Sequence, residues 1–341
     1  MFWSTSYPPE SLVVMALMAL AMTGVLLLAL WIDTRWGEPP QAVHPVVWMG
    51  HYLNACGKIT VRCAPALAFV LGAAAWLLGA LITGVSAWWF QAVAVRQLAG
   101  FTSQLALDNG LAALGSITLL AWLLKTMLSW RMLHDEAGAV ESALRKSLPA
   151  GRERLSWLVS RDTANLTESE VRESAIESLA ENLNDSVVAP IFWFVLLGLP
   201  GAAVYRFANT ADAMWGYRGT YRGQHWEWAG KFAARADDAL SWLPARLTAA
   251  LLMLVTGHYQ FSLLRREAAK TPSPNSGWPM AAMAMALDVR LSKPGVYSLH
   301  HTGRAATDAD VLQAQKYASK VLLALIPIAL VAILFVALMM R

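Results

Sequence analysis

Long runs with few or no charges dominate this chain, and their lengths predict its elements. One uncharged stretch extends from Ala64 to Val95. Such runs predict four clear membrane-spanning helices, at about 12–31, 66–90, 110–130 and 320–340. Each is close to the roughly 20 residues a helix needs to cross the hydrocarbon core. Lys125 stands near the end of the third, where its amine can snorkel to the interface. Two further apolar segments are shorter and interrupted. Val187–Val204 contains Pro190 and Pro200, and Leu240–Gly257 contains Pro244 and Arg246.

The polar stretches carry their own signals. Thr167-Glu168-Ser169-Glu170 has the spacing of a capping box and predicts a helix over about 168–186. The 271–279 segment is rich in Pro and Gly and reads as a structured loop. No internal repeat and no low-complexity tract occurs. The reading is therefore an all-α, polytopic helical membrane protein with four clear spans, two short re-entrant apolar segments and cytosolic helices. It forms a single integral-membrane domain over 1–341, with a cytosolic helical segment at 131–186 and a cytosolic loop segment at 258–318.

Composition supports this class. The chain has 341 residues, of which 57% are hydrophobic and only 15% charged, against about 25% charged in soluble domains. Many of the 16 Trp lie near the ends of apolar runs, as in interfacial belts. The start of the chain lacks the positive region of a secretory signal, and Leu12–Trp31 is long enough to be a retained first helix. The net charge of +4 comes from scattered residues with no dense basic run, which excludes a nucleic-acid role. Cys56 and Cys63 lack metal or redox spacing and read as free thiols.

Loop charge sets orientation. Basic residues concentrate in 32–65, 131–186 and 258–318, which places those segments inside and the N-terminus outside. The 205–239 loop is basic too, with Arg206, Arg218, Arg222, Lys231 and Arg235. It stays inside only if the two short apolar segments dip in and return, a path tolerated where backbone lines a protein cavity.

The chemistry-bearing residues cluster between 161 and 246. Glu177, Glu181 and Asp185 recur every four residues, which aligns three carboxylates on one helix face. The alternative is a solvated acidic surface. Asp237-Asp238 beside Arg235 is a second acidic pair, or else the capped start of a helix before Leu240. Asn209 and Asp212 share a helical face or form a turn. Arg246 lies inside an apolar stretch and needs a partner such as Asp237 or Asp238. His300-His301 and the pair His44 and His51 lack a metal-ligand pattern. No P-loop, GxSxG or HExxH motif is present.

Several stretches together resemble the cobalamin-biosynthesis CobD/CbiB family: RDTANLTESEVRESAIESLAENLNDSVVAPIFW at 161–193, GLPGAAVYRFANTADAMWGY at 198–217 and AARADDALSWLPARL at 233–247. HPVVWMG at 44–50 and SPNSGWPMAAMAMAL at 273–287 add to them. Two departures stand out. Gly37-Glu38-Pro39-Pro40 replaces the usual Gly-Asp-Pro-Pro, and Ser241 stands near a usual Asn.

The resemblance implies adenosylcobinamide-phosphate synthase activity, a carbon–nitrogen ligase that joins an aminopropanol phosphate to adenosylcobyric acid with ATP consumed as co-substrate. It also implies a multi-pass protein of the bacterial inner (cytoplasmic) membrane. On that footing Glu181, Asp185, Asp237 and Asp238 bind Mg²⁺ and phosphate. Arg161, Arg235 and Arg246 hold phosphates, and Asn182, Asn209 and Asn275 orient substrate. Arg161 and Asp162 join the catalytic group, with either Glu177 or Asp212 as general base. The implied partners are the corrinoid substrate, the aminopropanol phosphate and the lipid bilayer. A homo-oligomer is compatible with the sequence. Other readings of the same residues are a non-catalytic corrinoid-binding or transport protein, and a regulatory paralogue.

Overall fold

The structure is a computed structural model that describes residues 12–103 and 107–339. It is almost entirely helical: α1 Leu12–Trp36, α2 Pro45–Thr60, α3 Pro65–Ser103, α4 Leu107–Lys125, α5 Trp130–Leu144, α6 Leu148–Leu155, α7 Glu168–Leu183, α8 Ala189–Trp215, α9 Lys231–Thr256, α10 Phe261–Ala268, α11 Gly277–Leu287 and α12 Asp308–Met339. Two small antiparallel hairpins complete it, β1 Thr220–Tyr221 with β2 Gln224–His225, and β3 Leu291–Lys293 with β4 Tyr297–Leu299. Among the described residues six helical stretches are long and apolar enough to cross a membrane: Ala16–Trp36, Pro65–Gly100, Gly110–Leu144, Glu168–Trp215, Lys231–Thr256 and Asp308–Met339. The protein is a polytopic helical membrane protein. Its contacts divide it into two compact units.

Of the described residues, unit 1 comprises those up to Ser129, Ala189–Leu240 and those from Ile328 on. In it α1 and α3 pack on α4, and α2 and α3 pack on α8. Pro45 occupies the first turn of α2, and the His44 ring caps it by accepting from Val46 N. Gly72 of α3 lets that helix approach the chain closely, since a Cβ there would lie 2.2 Å from the Ala229 carbonyl oxygen.

The break in α8 decides how the first short apolar segment runs. Gly198 has φ 68° and ψ −159°, a conformation open essentially to glycine alone. A Cβ on Gly201 would stand 2.4 Å from the Trp193 carbonyl oxygen. In a straight helix eight residues would separate these positions by about 12 Å. The chain therefore folds back at Gly198, and α8 is a helical hairpin with arms 189–197 and 199–215. Gln91, buried in α3, accepts the Leu199 N–H at 2.7 Å and satisfies a donor that the second arm leaves open at its start. The other short segment differs from the sequence reading. It does not dip and return, because α9 runs as one helix from Lys231 to Thr256 through Pro244.

Unit 2 comprises Trp130–Val188 and Ser241–Pro327. A core of Val140, Leu144, Leu155, Leu166, Val171 and Ala175 joins α5, α6 and α7. The capping box is present: Thr167 accepts from Glu170 N, and Glu170 accepts from Thr167 N. The predicted 168–186 helix ends as α at Leu183 and continues as a π turn over Asn184–Val188. The 258–318 segment, read as loop, instead holds α10, α11 and the β3–β4 hairpin, and α12 already begins at Asp308. Local turn chemistry supplies that order. Val296 N bonds Lys293 O across Pro294-Gly295, and Gly295 has φ 72°, as a type II turn requires.

Candidate functional site

In unit 2 the polar chemistry converges on α7. Glu173 is fully buried and Glu177 nearly so, so these are not a solvated surface. Buried carboxylates cost several kcal/mol unless partnered, at least about 3–5 for a stranded one. Both are partnered by the β3–β4 hairpin. Ser292 Oγ donates to Glu173 at 2.7 Å, and Arg290 lies 3.6 Å from the same carboxylate. The Tyr297 hydroxyl donates to Glu177 Oε1 at 2.5 Å. From the loop before α7, Arg161 donates to Ser174 Oγ at 2.6 Å and reaches Glu177 Oε2 at 3.4 Å. Burial and the adjacent Glu177 charge hold the Tyr297 hydroxyl far above its ordinary pKa, so it stays a donor. Arg161 Nε and Nη1 are buried with no hydrogen-bond partner among the described residues. A buried guanidinium with unspent donors suits an anionic ligand.

Further along, Glu181 and Asn182 are half-buried. Asn182 donates to the Ser178 carbonyl at 2.9 Å, a local bond back along the helix. Asp185 sits in the π turn and accepts from Asn184 at 2.7 Å, while Thr248 donates to Asn184 at 3.1 Å. A π turn widens the helix by a residue per turn, so the four-residue stacking of Glu177 and Glu181 does not continue unchanged to Asp185. Asp162 is exposed and accepts from Ala164 N at 2.9 Å, the geometry of a local turn.

Arg246 finds partners other than the Asp237 or Asp238 anticipated for it. Eight or nine residues apart on one helix is at least about 12 Å. Instead it donates to Asn275 Oδ1 at 2.9 Å, to the Trp242 carbonyl at 2.8 Å and to the Pro274 carbonyl at 3.2 Å. Its guanidinium lies 4.3 Å from the Trp242 ring centroid and 4.8 Å from that of Trp278. Cation–π contact on two rings offsets part of the cost of placing this charge in an apolar stretch. The structure thus brings together Arg161 with Glu177, and Arg246 with Asn275.

The remaining sequence-predicted residues belong to unit 1. Asn209 and Asp212 are half-buried on the second arm of α8. Asp212 closes the helix end, its carbonyl accepting Gly216 N at 2.7 Å. Tyr217 follows, stacked on Tyr221 at 3.7 Å, and burial with the Tyr221 hydrogen bond pushes its hydroxyl up to about 12. Arg235 is exposed, and Asp237 and Asp238 are half-buried. This pair does not cap a helix starting at Leu240, because α9 already begins at Lys231. Adjacent helix positions also point about 100° apart.

Unit 1 holds a second charged cluster that the sequence reading missed. Lys125 does not snorkel. Its side chain is 1% exposed and lies 3.5 Å from Asp33, itself 0% exposed, and 2.9 Å from Glu38. His44 Nε2 completes the cluster, 3.0 Å from Glu38. Burial pushes the Glu38 carboxyl up, but the hydrogen bonds and charges of His44 and Lys125 outweigh it and hold the group below its ordinary value. A mostly apolar cavity of about 340 Å³, lined by residues such as Tyr52, Phe90, Leu123 and Phe207, adjoins α2, α3 and α8 and has no ionised side chain in its lining.

Comparison with known proteins places this architecture. The family model described as CobD/Cbib protein matches residues 26–326, a span that contains every residue named in this section. The chain belongs to the CobD/Cbib family. "Probable cobalamin biosynthesis protein CobD" of Methanothermobacter thermautotrophicus is 40% identical over 88% of this chain and 94% of that protein. The protein of the same name from Thermococcus kodakarensis is 40% identical over 84% of this chain and 88% of its own length. "Cobalamin biosynthesis protein CobD" of Dehalococcoides mccartyi is 36% identical over 81% and 85%. No solved structure matches the chain. This CobD/Cbib member is a multi-pass membrane protein of a cobalamin-biosynthesis family.

The residues also bear on a Mg²⁺ ion. Among the described residues no group of three or more His, Cys, Asp or Glu forms a ready-made cage. Mg²⁺ does not require one, since it keeps waters and takes ligands from one or two carboxylates plus substrate phosphates. Glu181 and Asp185, hard oxygen donors at the end of α7, fit that mode.

Proposed function

We propose that this chain forms an amide bond, joining an aminopropanol phosphate to a propionate side chain of adenosylcobyric acid at the expense of ATP. The observation that carries the reading is the Arg161–Glu177–Tyr297 cluster, with buried guanidinium donors unspent beside a held carboxylate. Resemblance to a corrinoid-handling family supplies the substrate class. The reaction proceeds in two steps. A propionate oxygen attacks the terminal phosphorus of ATP, giving an acyl phosphate and ADP. The amine nitrogen then attacks the acyl carbon, the C–O bond to phosphate breaks, and inorganic phosphate leaves as the nitrogen loses a proton.

Arg161 holds transferring phosphate oxygens through its spare donors. Glu177, held at Oε1 by Tyr297 and reached at Oε2 by Arg161, takes the amine proton through a remaining lone pair of Oε2. Glu181 and Asp185 would hold Mg²⁺, which neutralises phosphate charge. Arg246 and Asn275, locked together, orient a substrate amide or carboxylate. ATP is cytosolic, so the site faces the cytosol of a cytoplasmic membrane. Purified protein in lipid nanodiscs, supplied with adenosylcobyric acid, aminopropanol phosphate and MgATP, should release ADP, phosphate and the amide in equal amounts. Tight corrinoid binding with no ADP and no amide would overturn this reading in favour of a non-catalytic binding protein.

A further inference from the structure

We infer that Lys293 is the second cation of a phosphate cradle, working with Arg161 beside Glu177 to bind a phosphate group of a substrate. The inference rests on the proposed phosphate chemistry of this face of α7 and names a residue that the sequence reading did not single out.

Lys293 and Tyr297 are direct cross-strand partners in the β3–β4 hairpin. Opposed residues in an antiparallel pair project from the same face, with Cβ atoms about 5 Å apart. The Tyr297 hydroxyl is fixed on Glu177 Oε1, so the face that carries Lys293 is the face turned to that carboxylate. The charge of Lys293 acts on Glu177 accordingly. The Pro294-Gly295 turn holds this register, with Val296 N bonded to Lys293 O at 2.9 Å.

Glu177 has both oxygens engaged, Oε1 by Tyr297 and Oε2 by Arg161. Glu173 is taken by Ser292 and Arg290, and Glu170 by the backbone and hydroxyl of Thr167. None of these carboxylates uses Lys293 as a hydrogen-bond donor. Lys293 is half-buried, and its ammonium, with three donors, makes no hydrogen bond or ion pair among the described residues. Arg161 Nε and Nη1 are likewise buried without partners. Two cations from separate segments, each with unspent donors and both beside one carboxylate, form an arrangement that a group with several anionic oxygens completes. A phosphate fits, because its several anionic oxygens can give each cation its own acceptors and still take more than one donor from Arg161. The phosphate can come from the nucleotide or from the aminopropanol phosphate.

The test is equilibrium binding by calorimetry to the full chain in nanodiscs, for wild type, Lys293→Ala and Lys293→Arg. The ligands are a non-hydrolysable MgATP analogue, aminopropanol phosphate and inorganic pyrophosphate, with thermal unfolding checked for each variant. Losing a charge-assisted contact should weaken binding of one phosphate ligand about tenfold or more in Lys293→Ala, and Lys293→Arg should restore most of it. Loss confined to the nucleotide assigns the cradle to ATP, and loss confined to aminopropanol phosphate assigns it to the amine substrate. If a folded Lys293→Ala binds every ligand that wild type binds with unchanged affinity, the cradle is overturned and the proposed function is left standing. Pyrophosphate binding that needs Lys293, with neither substrate bound, keeps the cradle and removes the function. No binding of any of the three by wild type overturns both.

Discussion

Replacing Lys125 with Met tests whether the charged cluster of unit 1 is structural. The change keeps most of the side-chain volume and removes the charge. Lys125 is 1% exposed and Asp33 0% exposed, with 3.5 Å between them, and Glu38 is 2.9 Å from the amine. Taking one partner from a buried ion pair costs about 3–5 kcal/mol. At about 2 °C per kcal/mol, the low end of the range for 150–250 residues and so the end that suits a chain of 341 residues, Tm should fall by about 6–10 °C. The assay is thermal unfolding in nanodiscs, followed by intrinsic Trp fluorescence. Asp33→Asn combined with Lys125→Met should recover most of the loss, because the buried carboxylate that faced the ammonium is then neutral. A snorkelling lysine would behave differently, since exposed substitutions stay within about 0.5 kcal/mol. An unchanged Tm in Lys125→Met, or a double variant worse than the single, would refute the reasoning.

Three further outcomes are expected. Gly198→Ala forces a side chain into φ 68° and to 2.3 Å from Gln91 Oε1, so strain of about 1–3 kcal/mol should lower Tm; no change would mean that the hairpin turn is not as described. Glu38 has a depressed pKa in the folded state, so its contribution is present above about pH 4.3, its unfolded value, and is lost as pH falls through the lower folded value. Wild type should therefore lose Tm over that acid window, and Glu38→Gln should show a flatter profile there. Glu181→Gln with Asp185→Asn should raise the Mg²⁺ concentration for half-maximal ATP consumption by roughly tenfold or more, with Tm near wild type; an unchanged Mg²⁺ dependence would remove both residues from the metal.

What could be read from the sequence was local. The capping box at Thr167 and Glu170 was legible because both partners lie within one turn. The interruption near Gly198 was legible from Pro190, Pro200 and the shortness of the apolar run, although the reversal itself depends on Gln91, which is distant in sequence. Lys125 misled for the same reason. Proximity to a helix end suggests an escape to water, and only the packing of α1 and α4 brings Asp33 to it. Arg246 was correctly singled out as an apolar-stretch cation, but its aromatic neighbour Trp278 and its acceptor Asn275 come from another segment. The hairpin that grips Glu173 and Glu177 lay in a stretch read as loop. Its signal was Pro294-Gly295 between short apolar-polar alternations, too brief to stand out beside long helices.

An isotope experiment addresses the chemistry itself. Adenosylcobyric acid carrying ¹⁸O in the reacting carboxylate is turned over with aminopropanol phosphate and MgATP by the protein in nanodiscs, and the released phosphate is weighed by mass spectrometry. Attack of that carboxylate on the terminal phosphorus predicts one ¹⁸O in each phosphate released, with ADP as the other product. Unlabelled phosphate, or label appearing in AMP, would contradict it.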